Sequence, residues 1–130
     1  MAGGTPHWSH TAGLEAAPRS ASVARAFVSR HLVAHRLAHL DDRVLLAVSE
    51  LATNAVAHAR TAFSVSLSAD DHAVLLTVRD DSAALPTLRA AQIMDAGGRG
   101  LALVAMVSTD WGVTEDGAGS KDVWASFAIS

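Results

Sequence analysis

Between residues 42 and 79 the hydrophobic period changes once, from that of a helix to that of a strand, and this switch limits the fold more than any other feature. Val44, Val48, Leu51, Ala52 and Ala55 recur at steps of four, three, one and three, which gathers them on one face of a 3.6-residue helix. Asp41 and Asp42 precede them as an expected N-cap pair, so the pattern predicts a helix over residues 42–59. From Phe63 the period is two. Phe63, Val65 and Leu67 alternate with Ser64, Ser66 and Ser68. Beyond a turn at Asp70-Asp71, Val74, Leu76 and Val78 alternate with Leu75, Thr77 and Arg79. That is the pattern of a β-hairpin with one apolar face. A one-faced helix beside a one-faced hairpin calls for a layer of helix on a layer of sheet.

The flanks extend the scheme. Residues 1–18 are small, polar and rich in Gly and Pro, and are expected to be a mobile tail with room for a short strand near Leu14. Ser20 or Ser22 would cap a helix reaching about Ala38, with Val23, Phe27, Val28 and Leu32 at helical spacing. After Asp80 a loop is expected to about Ala96, with a short helix over residues 87–94. Gly97-Gly98-Arg99-Gly100 leads directly into the apolar run LALVAMVS, read as a helix. Trp111 and Val113 begin a strand, and residues 116–119 turn the chain. Val123, Ala125, Phe127 and Ile129 form a last alternating strand, with Trp124 on its opposite face. The order predicts an α+β fold: a two-layer sandwich with helices on one face of a mixed, mostly antiparallel sheet. Residues 19–130 are expected to form a single domain.

Composition removes several function classes. A chain of 130 residues builds one core. It has no cysteine, which excludes disulfides, a cysteine zinc site and a thiol nucleophile. Ten basic against thirteen acidic residues leave no footprint for nucleic acid. No apolar run is long enough for a membrane span, and the first residues lack a secretory pattern, so a cytoplasmic domain is expected.

Three places could carry chemistry. Glu50, Asn54 and His58 recur every fourth residue beside the apolar stripe of the second helix. There a carboxylate can act as a base, and an amide oxygen can ligate a hard cation such as Mg²⁺. Taken by itself, the same spacing describes an ordinary solvated face. Asp80 ends a strand, where a carboxylate can accept a hydrogen bond from an amino group such as that of adenine, or can simply serve a turn. The Gly97–Gly100 loop opens a helix, which lets backbone N–H groups approach a phosphate. It matches neither the dinucleotide fingerprint nor a P-loop: the only lysine is Lys121.

As an ordered set, ELATNAVAHA at 50–59, VRDDSAALP at 78–86 and GGRGLALV at 97–104 resemble the N-box and glycine boxes of the Bergerat-type, or histidine kinase-like, ATPases. SVARAFVSRHL before them and DWGVTEDGAGSKDVWASF after them are similar to the anti-sigma factor serine/threonine kinases of that superfamily. The resemblance covers about residues 20–129. It implies ATP and Mg²⁺ between helices and sheet, with Asn54 on Mg²⁺ and Asp80 at the adenine amino group. Gly98, Arg99 and Gly100 would wrap the phosphates, and Ser82 and Leu101 would complete the nucleotide contacts. Glu50 stands where the family carries its general base. The implied partners are a sigma factor, an anti-sigma factor antagonist bearing the phosphorylated Ser or Thr, or both, and dimerisation is a family expectation.

Two positions depart from the family pattern. Ser82 stands where relatives often have Gly, and Asp122 stands where many have Thr in Gly-Lys-Thr-Val-Trp. An inward-pointing Asp122 would repel phosphate. These departures motivate the alternative of a catalytically inactive, nucleotide-gated interaction module. A third reading, the detached ATP domain of a histidine kinase, lacks the phospho-acceptor helix pair. Outside this set, His31, His35 and His39 also recur every fourth residue. Two such histidines can hold a metal, but apart from nearby Asp41 or Asp42 the sequence places no acidic third ligand, and a solvated or interface face is expected.

Overall fold

The computed structural model describes residues 7–59, 61–80, 98–115 and 119–130. Strand β1 (Trp8–Leu14) is followed by helix α1 (Ser20–Ala34), a 3₁₀ turn at Ala38–Leu40 and helix α2 (Asp41–Asn54). Strands β2 (Phe63–Ala69) and β3 (Ala73–Asp80) come next, then helix α3 (Gly98–Val107) and strands β4 (Asp110–Glu115) and β5 (Lys121–Ala128). The sheet order is β1-β2-β3-β5-β4, with every pairing antiparallel. The expected two-layer α+β sandwich is therefore what forms, with an antiparallel sheet.

Register explains the core. Val65 lies opposite Val78, and Val78 opposite Val123; Leu67 lies opposite Leu76, and Leu76 opposite Ala125. These residues are buried together with Val44, Val48 and Leu51 of α2 and Val28 and Leu32 of α1. The alternate positions, Ser64, Ser66, Thr77 and Trp124, form the other sheet face. Trp124 lies over Gly112 of β4, where an added Cβ would meet its ring at 2.8 Å.

Three local expectations are corrected. First, the short strand expected near Leu14 forms but reaches back to Trp8, so residues 8–14 are an edge strand rather than tail, pairing with β2 from Trp8 opposite Ala69 to Leu14 opposite Phe63. Trp8, His10, Ala12 and Leu14 face the helices, an alternation that His and Ala make faint in sequence. Second, no side chain caps α1 or α2 at the N-terminus. Ser20 Oγ instead donates to the Glu15 carbonyl at 2.6 Å, and Asp41 accepts from Ser29 Oγ at 3.3 Å. Third, α1 stops at Ala34, short of Ala38. Arg36 takes a left-handed φ of 61°, while Leu37 N–H donates to Leu32 O at 2.7 Å and Arg36 N–H to Val33 O at 3.1 Å. This is a Schellman stop built on Arg rather than Gly, held by burial of Leu32 and Leu37.

The stop at Ala34 breaks the His31/His35/His39 stripe. His39 sits on the 3₁₀ turn and donates through Nε2 to the Ile129 carbonyl at 2.9 Å. His31 and His35 stay on α1 and meet β1. Trp8 stacks on His35 at 3.8 Å between ring centroids, and His10 stacks on His31 at 3.8 Å. Burial, and then the neighbouring His10, Arg30 and His35 charges, hold the His31 ring below the usual histidine value.

Candidate functional site

At one end of the sheet the buried ladder turns polar. Phe63 on β2 lies opposite Asp80 on β3, and Asp80 lies opposite Lys121 on β5. Both charged residues are only 4% exposed. Lys121 Nζ and Asp80 Oδ2 are 3.6 Å apart. Desolvating two such charges costs about as much as their attraction returns, so a pair of this kind is weak evidence for stability. Its place at a pocket is more telling.

That pocket is a shallow, open recess lined by α2, α3 and the sheet. Leu51, Asn54 and Ala55 line it from the α2 side, Leu101 from α3, and Val78, Asp80, Lys121 and Val123 from the sheet. Its walls are apolar apart from Asn54, Asp80 and Lys121, the composition of a small-molecule site: apolar walls with a few convergent polar groups.

Asn54 is the last residue of α2, and the next five, Ala55–Ala59, form a π-helical turn. Single π turns within helices tend to mark functional positions, because they re-aim side chains at the break. Asn54 Nδ2 is buried and has no hydrogen-bond partner among the described residues. A half-turn of the terminal torsion exchanges the amide nitrogen and oxygen. In either orientation the amide carries Oδ1, a hard oxygen acceptor, on a residue that lines the pocket. An amide oxygen at such a pocket fits Mg²⁺, which takes one or two protein oxygens and fills its other positions with water and phosphate. Helix α3 begins at Gly98, and Leu101 in its first turns lines the pocket. The helix N-terminus at this wall favours anionic groups.

The structure thus brings Asn54, Asp80 and Leu101 to one pocket and opens α3 with Gly98, Arg99 and Gly100. Glu50 lies one turn before Asn54 on α2, half-buried and not part of the lining. Ser82 and the expected helix over residues 87–94 lie outside the described residues. Asp122 is on the face opposite the pocket, where its Oδ1 accepts from Arg79 Nη1 at 3.2 Å. The expectation that it could point inward at phosphate is overturned by parity: Lys121 and Val123 face in, so Asp122 faces out.

Lys121 is the pocket residue that the sequence reading missed. The signal was present, since Lys121, Val123, Ala125 and Phe127 share one parity and the last three are apolar. A sole lysine on that parity is inward-facing by the same rule that places the valine.

Residues 14–127 match the model of the histidine kinase-like ATPase domain. No curated protein sequence matches the chain. The crystal structure of the RsbU and RsbW domains of Rv1364c from Mycobacterium tuberculosis is similar, with a TM-score of 0.71 and 20% sequence identity. That similarity covers 95% of this chain and 33% of the other, so this chain spans about a third of that chain's length. At this identity the likeness is one of fold.

Proposed function

The chain belongs to the histidine kinase-like ATPase domain family, and from that premise we propose that it is a Mg-ATP-dependent regulator of the anti-sigma factor kinase type. The observation that carries the reading is the pocket lined together by Asn54, whose buried amide nitrogen is orphaned, by buried Asp80, and by Leu101 near the start of α3. In this reading Asn54 holds Mg²⁺, Asp80 accepts the adenine amino group, and Gly98, Arg99, Gly100 and Leu101 bound the phosphates, with Ser82 near the base. Bound Mg²⁺ would neutralise charge on the β- and γ-phosphates.

Glu50 is the proposed base. It takes the proton of a Ser or Thr hydroxyl on an antagonist protein while that oxygen bonds to the γ-phosphorus and the bond to the ADP oxygen breaks. Positioning and charge neutralisation supply most of the acceleration in such transfers. In this reading the protein acts in the cytoplasm by phosphorylating an anti-sigma factor antagonist, by sequestering a sigma factor, or by both, and as a homodimer. Incubation with ATP, Mg²⁺ and candidate antagonists should give a phosphorylated Ser or Thr with wild-type protein and none with Glu50→Ala. Transfer that survives in Glu50→Ala contradicts the assignment.

One observation favours a second reading. Glu50 does not line the pocket, as expected of a domain that binds nucleotide to gate protein contact and transfers nothing. Saturable ATP binding with no transfer to any antagonist selects this module.

A further inference from the structure

Three imidazoles converge where the edge strand β1 lies against α1. His10 comes from the helix-facing side of β1. His31 and His35 come from successive turns of α1, four residues apart, a spacing that puts two imidazoles on one helix face. One ligand-capable nitrogen of each lies within 4.8 Å of those of the other two. His10 Nε2 and His35 Nε2 are 3.0 Å apart. With metal–nitrogen bonds of about 2.0–2.1 Å, two corners of a tetrahedron are about 3.3 Å apart. The His10–His35 pair already spans such an edge. His31 joins it by turning out of its stack on His10.

We propose that His10, His31 and His35 form a binding site for a borderline divalent transition ion, Zn²⁺ above all, with the fourth tetrahedral position open to water. The donor set decides the class of ion. All three ligands are imidazoles, which suit Zn²⁺, Cu²⁺ and Ni²⁺; Mg²⁺ and Ca²⁺ require oxygen. Other histidines are engaged elsewhere: His39 on the Ile129 carbonyl and His7 3.4 Å from Asp71. None of the three ligands lines the Asn54–Asp80 pocket, so the site stands or falls independently of nucleotide binding. Its structural effect is to fasten β1 to α1 across residues more than twenty positions apart in sequence. An ion held only by the folded arrangement stabilises it by mass action.

The test uses the whole chain without a polyhistidine tag, stripped of metal and titrated with ZnCl₂ by calorimetry. Co²⁺ serves as a visible probe of tetrahedral geometry. Trp8, stacked on His35, reports binding through its fluorescence, with Trp8→Phe separating its signal from the other two tryptophans. The expected result is one ion per chain with an intense tetrahedral Co²⁺ spectrum. Affinity should fall in His10→Ala, His31→Ala and His35→Ala by more than the roughly 10–100-fold that outer-shell changes cost, and should hold in His39→Ala and His7→Ala. His10→Asn serves if His10→Ala does not fold by circular dichroism. Absence of Zn²⁺ binding to wild type overturns the site, as does binding of undiminished affinity in the His10 variant.

Discussion

The two polar corners of the helix–sheet interface use the same geometry for different chemistry. At the pocket end, inward-facing Asp80 and Lys121 stand on the central strands β3 and β5, both nearly sealed from solvent. At the β1 end, inward-facing His10 stands on an edge strand and meets His31 and His35 in the open air of a half-buried corner. A central strand imposes burial, so a polar group there needs an opposite charge or a ligand. An edge strand leaves room for imidazole rings that satisfy one another by stacking and by the His10–His35 hydrogen bond. The stability of the first corner should therefore depend steeply on its partner, and that of the second only weakly.

The largest test of this contrast is Lys121→Met. It removes the cation facing buried Asp80 and should cost about 3–5 kcal/mol in urea unfolding. The pair replacement Asp80→Leu with Lys121→Met should recover most of that loss, because two apolar side chains carry no desolvation cost. If the single change is neutral, the pocket corner is not sealed as described.

The β1 corner should respond less. Trp8→Ala removes the ring stacked 3.8 Å from His35 at an interplanar angle of 3°. The stack is worth about 0.5–1.5 kcal/mol beyond area burial, to be read in the same denaturation experiment. A loss exceeding that of Lys121→Met would invert the comparison.

What the sequence made legible divides along the same line. The hairpin, the α2 stripe and β5 were readable because Val, Leu and Phe alternate or recur there without interruption. Strand β1 was obscured because its inward positions include His10 and Ala12, which carry little hydrophobic signal. The α1 stop was hidden because Arg36, not Gly, adopts the left-handed cap, and that choice depends on Leu32 and Leu37 packing into the core. The His10 contact with His31 and His35 is a tertiary event that no local spacing contains; spacing alone pointed to His39. At the pocket, Asn54, Asp80 and the Gly98–Gly100 helix start were visible as motifs. The π turn after Asn54 has no sequence signal, and the ion pair of Lys121 appears only once the β3–β5 register sets it opposite Asp80.

The smallest expected effect lies outside both corners, at the β2–β3 turn. Asp70 Oδ1 accepts from the His72 and Ala73 N–H groups at 2.8 and 2.9 Å. These backbone bonds hold its carboxyl below the ordinary value of 3.8. A lowered folded-state value means the contribution is complete above the unfolded-state pKa and disappears as pH falls through the folded one. Acid unfolding of Asp70→Asn should therefore be slightly less steep than wild type below about pH 4 and parallel to it at neutral pH. An unchanged acid limb would show that the turn carboxylate contributes nothing.

The central claim is that the pocket at Asn54 and Asp80 holds Mg-ATP, and calorimetric titration of the purified chain with ATP, with and without Mg²⁺, tests it most directly. Wild type should bind saturably, and Asn54→Ala should weaken binding by at least about tenfold with Mg²⁺ present and far less without it. Asn54→Ala should meanwhile leave folding stability nearly unchanged, since the amide it removes has an unsatisfied buried nitrogen. A folded wild-type protein that does not bind ATP, or an Asn54→Ala variant that binds Mg-ATP as wild type does, would contradict the account.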